Sequence, residues 1–319
     1  MNTLKLILRS LNVIALLTLE LYPITLTPPP SPREWFQAAD NNQKLSSFPY
    51  ITGDTLRTLA SCCIDELRIP FNTNDIHDGD IIFVRSNLIP YFFDVVHPLL
   101  QAHYILISHN EDSPAIRNYE NFLDDEKLIA WFAMNVEITH RHPKLHLIPI
   151  GIANSYWPFG NVEILDEVTK KLPNIQKQHL LYINFYLEDT RASRIPIYKL
   201  FLNKPWAYRR YGRPWNEYLE DLVSSLFVLS PHGNGLDCYR TWEALLMGSI
   251  PVVKTSSLDP LYDDLPVVIV QEWEEVTEEF LVQKYREIST RDFKMQKIYA
   301  QHWLYLIKEC QKNFLHATR

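Results

Sequence analysis

The chain has 319 residues, 46% hydrophobic and 22% charged, a balance that excludes a disordered chain and leaves room for two domains of ordinary size. Its net charge of −7, with both signs interspersed, lacks the basic face that a nucleic-acid binder needs, so no nucleic-acid partner is expected. The four cysteines, Cys62, Cys63, Cys238 and Cys310, show neither metal-ligand spacing nor a disulfide framework, and the adjacent pair reads as buried apolar filler.

Residues 1–45 form a hydrophobic N-terminal segment and a proline-rich linker. Residues 4–26 are mostly apolar, with Lys5 and Arg9 near the front and with Asn12, Glu20 and Pro23 as interruptions. A signal peptide, a membrane anchor and a buried helix all fit. A carboxylate near the middle of a span costs roughly 2.5–3.5 kcal/mol, and no small-x-small cleavage site follows the apolar core Val13 to Leu19. A membrane-associated or secretory location is the expectation, with a cytoplasmic one as the alternative. Thr27 to Pro32 is a stiff polyproline-II spacer ahead of the folded part.

Residues 46–160 read as a first α/β domain. Ile81 to Val84, Tyr104 to Ile107, Leu128 to Ala133 and Leu147 to Ile150 are short apolar runs. Helical stretches from Leu88 to Leu100 and from Pro114 to Lys127 alternate with them. That alternation predicts a parallel sheet with helices on its faces, and ligands bind such sheets beyond the carboxyl ends of the strands. Polar residues collect at each of these exits: Arg85-Ser86-Asn87, then His109-Asn110-Glu111-Asp112, then Asn135, then Gly151 to Asn154. His109, Glu111 and Asp112 offer an imidazole and two carboxylates for general-base work. The alternative reading is that loops after strands are simply polar and that Asp112 caps the next helix.

Two patterns read as decoys. Asp78-Gly79-Asp80 has D-x-D spacing but precedes a strand, so a turn is expected there rather than a metal site. His140, His142 and His146 lack a nearby carboxylate or thiol partner and read as a loop entering the next strand.

Residues 161–290 read as a second α/β domain and residues 291–319 as a C-terminal helix. Phe159 to Gln178 is a connector with one short helix, Leu180 to Phe185 a strand, Thr190 to Leu202 a helix, Trp206 to Tyr211 a strand and Trp215 to Ser224 a helix. Arg209, Arg210 and Arg213 form a basic cluster, either a solvated face or a source of phosphate contacts. Pro266 to Val270 is a last strand, and two helices follow from Glu274 to Thr290 and from Asp292 to Phe314.

The most informative stretch is SLFVLSPHGNGLDCYRTWEALLMGSIPVVK, Ser225 to Lys254. It reads as strand, glycine loop, helix, turn and strand. Gly233 and Gly235 let the backbone turn sharply and approach a ligand, Asp237 is the expected N-cap, and Gly248 ends the helix. Arg240 and Glu243 lie one turn apart near the helix N-terminus. That end carries partial positive charge and free N–H groups, arginine adds bidentate phosphate recognition, and a glutamate can accept from two vicinal ribose hydroxyls. The implied ligand is a nucleoside diphosphate; the bland alternative is a surface i,i+3 ion pair worth roughly 0.2–0.5 kcal/mol.

This stretch resembles the exostosin-like glycosyltransferases of the GT-B fold, through an R-x-x-E-A-L-x-x-G-x-I-P-V pattern carried here by Arg240, Glu243, Ala244, Leu245, Gly248, Ile250 and Pro251. The resemblance is specific from Ser225 to Trp273 and weaker from Asp80 to Asn161. It implies two Rossmann-like domains facing a cleft, with C-terminal helices bracing the first. It further implies a nucleoside diphosphate sugar, UDP-linked, as donor, no separate cofactor, no metal, and inverting transfer to a glycan or other hydroxyl acceptor. Glu243 would hold the ribose, while Arg240, Gly233, Asn234 and Gly235 would hold the diphosphate, with His232 nearby. The acceptor side would draw on Arg85, Asn110 and Asn154. Gly233-x-Gly235 lacks the third glycine of a dinucleotide fingerprint, and no P-loop or G-x-S-x-G elbow occurs. A nucleotide-sugar or glycan-binding protein without transfer activity, and a membrane-associated scaffold, remain as different classes.

Overall fold

A computed structural model describes residues 46–114, 116–138, 140–172, 175–187 and 194–317. The reading of residues 1–45 as an apolar segment and linker falls outside them.

The first sheet has the order β1-β2-β3-β4-β5, all parallel: Cys62–Ile64, Asp80–Arg85, Tyr104–His109, Leu128–Ala133 and Leu145–Leu147. All six residues of β3 are buried, as a strand covered on both faces requires, and its sequence is accordingly apolar almost throughout. Two expectations need correction, and one strand was not foreseen. Edge strand β1 contains the two adjacent cysteines, of which Cys62 is buried in the core as expected, in a run too short to stand out. The fourth apolar run pairs only over Leu145–Leu147, so Ile148 to Ile150 extends past the sheet toward the cleft. Pro114 to Lys127 is not a helix but a loop with one tight turn, Glu120–Asp124.

Helix α1 (Gly53–Arg57) begins under the side-chain cap of Thr52. Between β2 and β3 the expected helix is present as a run of turns containing α2 (Ile89–Tyr91), with Phe92 and Phe93 packed inward. After the sheet comes α3 (Val162–Lys171), capped by Asn161.

The second sheet is also parallel. Its strands are β6 (His179–Ile183), β7 (Ala207–Arg209), β8 (Ser225–Leu229), β9 (Ile250–Lys254) and β10 (Val268–Val270), in the order β10-β9-β8-β6-β7. Helices α4 (Ile195–Phe201), α5 (Trp215–Val223) and α6 (Tyr239–Leu246) connect these strands. The expected helix from Thr190 begins, in its described part, only at Ile195, where Pro196 fits the first turn. Gly248, at φ +67°, closes α6, a conformation that β-carbon sterics disfavour for other residues.

Helices α7 (Glu278–Ser289) and α8 (Ala300–Ala317) complete the described chain. Helix α8 returns to the first sheet: Gln311 donates to the Gly79 carbonyl, and Phe314 lies against His103. One core runs through both halves, from Phe83, Ile107 and Phe132 to Tyr182, Val228, Trp242 and Ile307. Two parallel α/β sheets joined in this way and facing a common cleft are the GT-B architecture.

Candidate active site

In the second sheet, β6 is flanked by β7 on one side and β8 on the other, so the strand order reverses there. Ligands of open α/β sheets bind beyond the carboxyl ends of the strands at such a switch point. Asn184, Phe185 and Tyr186 follow β6, and the glycine loop follows β8. Both groups line a cavity of about 670 Å³, whose other wall includes Asp112, Ile150, Pro158 and Phe159 of the first half.

Arg240 and Glu243 both line this cavity, and the bland ion-pair reading does not describe them. Glu243 is buried. Its two oxygens accept from Trp215 Nε1 at 3.3 Å and from the Tyr218 hydroxyl at 2.9 Å. Trp215 and Tyr218 stand three residues apart on α5 and so share a face. Burial raises the Glu243 carboxyl above its ordinary value, against the lowering effect of Tyr218, Trp215 and Arg240. Each carboxylate oxygen retains a lone pair for a further donor.

Arg240 Nε donates to the Asn184 carbonyl at 2.7 Å, and its guanidinium lies over the Phe185 ring. Its Nη1 is buried with no hydrogen-bond partner. No side chain caps α6 at Cys238, so first-turn amides stay available to an anion. Asp237 is not the cap. Its buried carboxylate accepts from Ile150 N across the cleft at 2.8 Å and from Trp242 Nε1, and burial lifts its pKa to about 6. Asn135, one of the polar strand-exit residues, accepts from Asp237 N through its Oδ1. Its amide sits where a β-carbon on Gly235 would go, at 2.3 Å. Gly235 therefore serves the contact between halves as well as the loop.

Sequence reasoning missed Arg194. It is buried and donates to three backbone carbonyls, those of His232, Pro231 and Tyr186, at 3.0, 3.1 and 3.3 Å. These bonds pin the glycine loop to the segment after β6. A β-carbon on Gly233 would lie 2.7 Å from Arg194 Nη2. Burial, then the neighbouring Arg240, lowers its guanidinium from the ordinary value. The extent predicted for the helix hid it; an arginine immediately before Ile195-Pro196, after a strand at the switch point, was the available signal. Trp215 and Tyr218 were read only as helix residues.

The remaining candidates divide. Gly233, Asn234 and Gly235 line the cavity, whereas His232 contributes its carbonyl to Arg194 instead. Of the three clustered arginines, Arg213 lines the cavity and pairs with Glu217. Arg209 donates to the Phe201 carbonyl and Arg210 pairs with Asp221, so the basic run is spent on the fold. On the first-half side, Asp112 lines the cavity. Glu111 pairs with Arg85 at 2.9 Å, away from the lining. His109 is buried: its Nδ1 accepts from Asn110 N and its Nε2 donates to the Pro149 carbonyl, leaving no lone pair for a substrate proton. Burial also lowers its pKa. Asn110, at φ +62°, joins Asn154 and Asp54 in a network that fixes these loops rather than lining the cavity.

Asp78 bonds His103 and Asp80 bonds Ser61 and His77 N, the turn expected of that motif. His146 stacks on Phe132, while His140 and His142 pair with different carboxylates. Among the described residues no helix is long and apolar enough to cross a membrane.

Two parallel sheets facing a cleft, with a glycine loop and two arginines at the switch point of the second, define the GT-B fold. Residues 198–318 match the family described as the RXYLT1 C-terminal domain, an exostosin-like glycosyltransferase family, so the resemblance read from the sequence is borne out over that stretch. No curated protein matches the chain. Among solved structures it is similar to a glycosyltransferase from Rickettsia africae ESF-5, at 11% identity and TM-score 0.38, covering 73% of this chain and 77% of that one. An α,α-trehalose 6-phosphate synthase from Burkholderia multivorans is similar at 8% identity and TM-score 0.40, covering 77% and 71%. The pneumococcal O-GlcNAc transferase GtfA, in complex with UDP and GlcNAc, is similar at 12% identity and TM-score 0.38, covering 75% and 58%.

Proposed function

We propose that this protein transfers a sugar from a nucleoside diphosphate sugar, UDP-linked, to a hydroxyl acceptor with inversion at the anomeric carbon. One observation carries the reading. Two guanidiniums, Arg194 and Arg240, converge on the cavity beside an uncapped helix N-terminus, and Arg240 holds a buried Nη1 with no protein partner. A diphosphate supplies the charge and acceptors that this arrangement lacks. Glu243, held by Trp215 and Tyr218, takes the ribose hydroxyls.

In the reaction, an acceptor hydroxyl oxygen attacks the anomeric carbon while Asp112 takes its proton. The bond from that carbon to the diphosphate oxygen breaks, and the electron pair leaves with the nucleoside diphosphate. Negative charge grows on the leaving group, where the arginines and the helix end are already aimed, so stabilisation needs little reorganisation and no metal. Of the three residues considered as base, Asp112 is the one that lines the cavity with its carboxylate not committed to an arginine.

Calorimetric titration of the purified chain with UDP and GDP, without added metal, tests the donor site. Binding of UDP that Glu243→Ala abolishes supports it, whereas equal affinity in that variant removes the main argument. The anomeric configuration of the product, read by NMR, decides inversion.

A further inference from the structure

The cavity is bordered by a row of aromatic side chains, of which Tyr156 and Trp157 lie outside its lining. Tyr156, Trp157 and Phe159 follow one another in the loop after Asn154 and are 57%, 44% and 37% exposed, unusual values for large rings in one short segment. They form a stepped series. Tyr156 and Trp157 have centroids 5.3 Å apart, Trp157 and Phe159 lie 5.6 Å apart and within 12° of parallel, and Phe159 reaches Tyr239 at 6.2 Å. Phe159 and Tyr239 line the cavity, so the row runs out of it without a break.

The loop is built to hold this row in place. Trp157 N donates to the Asn154 carbonyl at 3.0 Å and Gly160 N to the Trp157 carbonyl at 2.9 Å. A β-carbon at Gly160 would meet the Asn154 carbonyl oxygen at 2.1 Å. The Asn154 side chain is itself fixed by Asp54 N and Asn110. The rings are therefore presented on a preorganised turn, not on a slack loop.

An occupant of this surface has to be apolar on one face and rich in hydroxyls on the other. The rings offer flat faces with negative π density, to which the polarised axial C–H groups of a pyranose are attracted. The cavity that Phe159 and Tyr239 line also carries Asp112, whose carboxylate can pair with a hydroxyl. A purely apolar partner would bury the Asp112 carboxylate without offering it a hydrogen bond. We propose that Tyr156, Trp157 and Phe159 are the acceptor subsite, and that the acceptor is a carbohydrate whose ring stacks on this shelf with one hydroxyl directed at Asp112. This rests on the donor reading above only for the direction of transfer; the shelf binds sugar whether or not the cavity binds nucleotide.

The test uses the full chain and methyl β-D-glucopyranoside, methyl β-D-galactopyranoside and methyl β-D-xylopyranoside as probes. The indole N–H of Trp157 is assigned by its loss in Trp157→Phe. At least one glycoside is expected to shift that signal saturably and to receive saturation transfer at the axial protons of one ring face. Trp157→Ala and Phe159→Ala are expected to weaken glycoside binding at least tenfold, and Trp157→Ala, whose ring lies outside the cavity lining, is expected to hold UDP affinity within twofold. Absence of any glycoside effect on the indole, or unchanged binding in both variants, overturns the proposal. So does an equal shift by cyclohexylmethanol, which marks a merely apolar patch. Glycoside binding without UDP binding would sink the donor reading and leave the shelf standing.

Discussion

Arg194 and Arg240 share one aromatic ring: their guanidinium carbons lie 5.7 and 5.5 Å from the centroid of Phe185. One arrives from the residue before α4 and the other from the first turn of α6, and no described carboxylate pairs with either. Two cations brought together without a counterion raise each other's cost and create a place for a dianion. Removing either should therefore weaken UDP binding beyond the loss of one contact. We expect Arg240→Ala to cost roughly 1.5–3 kcal/mol, the scale of a hydrogen bond to a charged group, read by calorimetry. Arg194→Ala should cost as much and also loosen the glycine loop, visible as faster amide exchange at Gly233 to Gly235. Unchanged UDP affinity in both variants would leave the arginines as loop pins only.

Glu243 depends on its supports. Tyr218→Phe removes one donor from a buried carboxylate, which should raise its pKa further. Its ionised form would then be reached only at higher pH, and UDP affinity should fall on the acid side of the profile first. A pH series of UDP titrations in the variant checks this, and a profile superimposable on the wild type would refute it.

Asp112→Asn keeps the side-chain shape and removes the base. Turnover should fall by about 10²–10⁴ while UDP affinity is unchanged. Glu111→Gln, which breaks the ion pair with Arg85, should leave turnover far closer to wild type. The reverse order of effects would move the base to Glu111.

Asp237 makes stability depend on pH. Its pKa is raised from 3.8 to about 6 by burial, with the hydrogen bonds from Ile150 N and Trp242 opposing. A raised folded-state value means that the folded protein binds the extra proton. The contribution is therefore fully present below pH 3.8 and is lost as pH rises through about 6. Denaturant midpoints of wild type and Asp237→Asn should diverge across that window, and parallel curves would show that the group titrates normally.

Gly235→Ala places a methyl group where the Asn135 amide stands, at 2.3 Å. Because Asn135 also holds Asp237 N, the two halves must separate locally. A loss of about 1–3 kcal/mol is expected, measured by chemical denaturation. The double variant with Asn135→Ala should lose less than the sum of the singles.

Residue order by itself determined the second sheet and its glycine loop. Ser225 to Lys254 encodes strand, turn and helix through local rules: apolar runs, two glycines and Gly248 at the helix end. Local rules also put Arg240 and Glu243 on one side of α6, because helical spacing fixes that without any neighbour. Tertiary structure decided the rest. His109 was a fair candidate in sequence, but only the fold shows both its nitrogens spent on backbone groups of its own domain. Arg194 becomes part of the site only when β6 and β8 lie side by side and bring Tyr186, Pro231 and His232 within its reach. Asp237 looked like a cap because a cap is a local motif, whereas its partner Ile150 is 87 residues away. A chain's pattern specifies the contacts a few residues long; pairings across a cleft follow from how two sheets are set against each other, and no spacing in the sequence carries that distance.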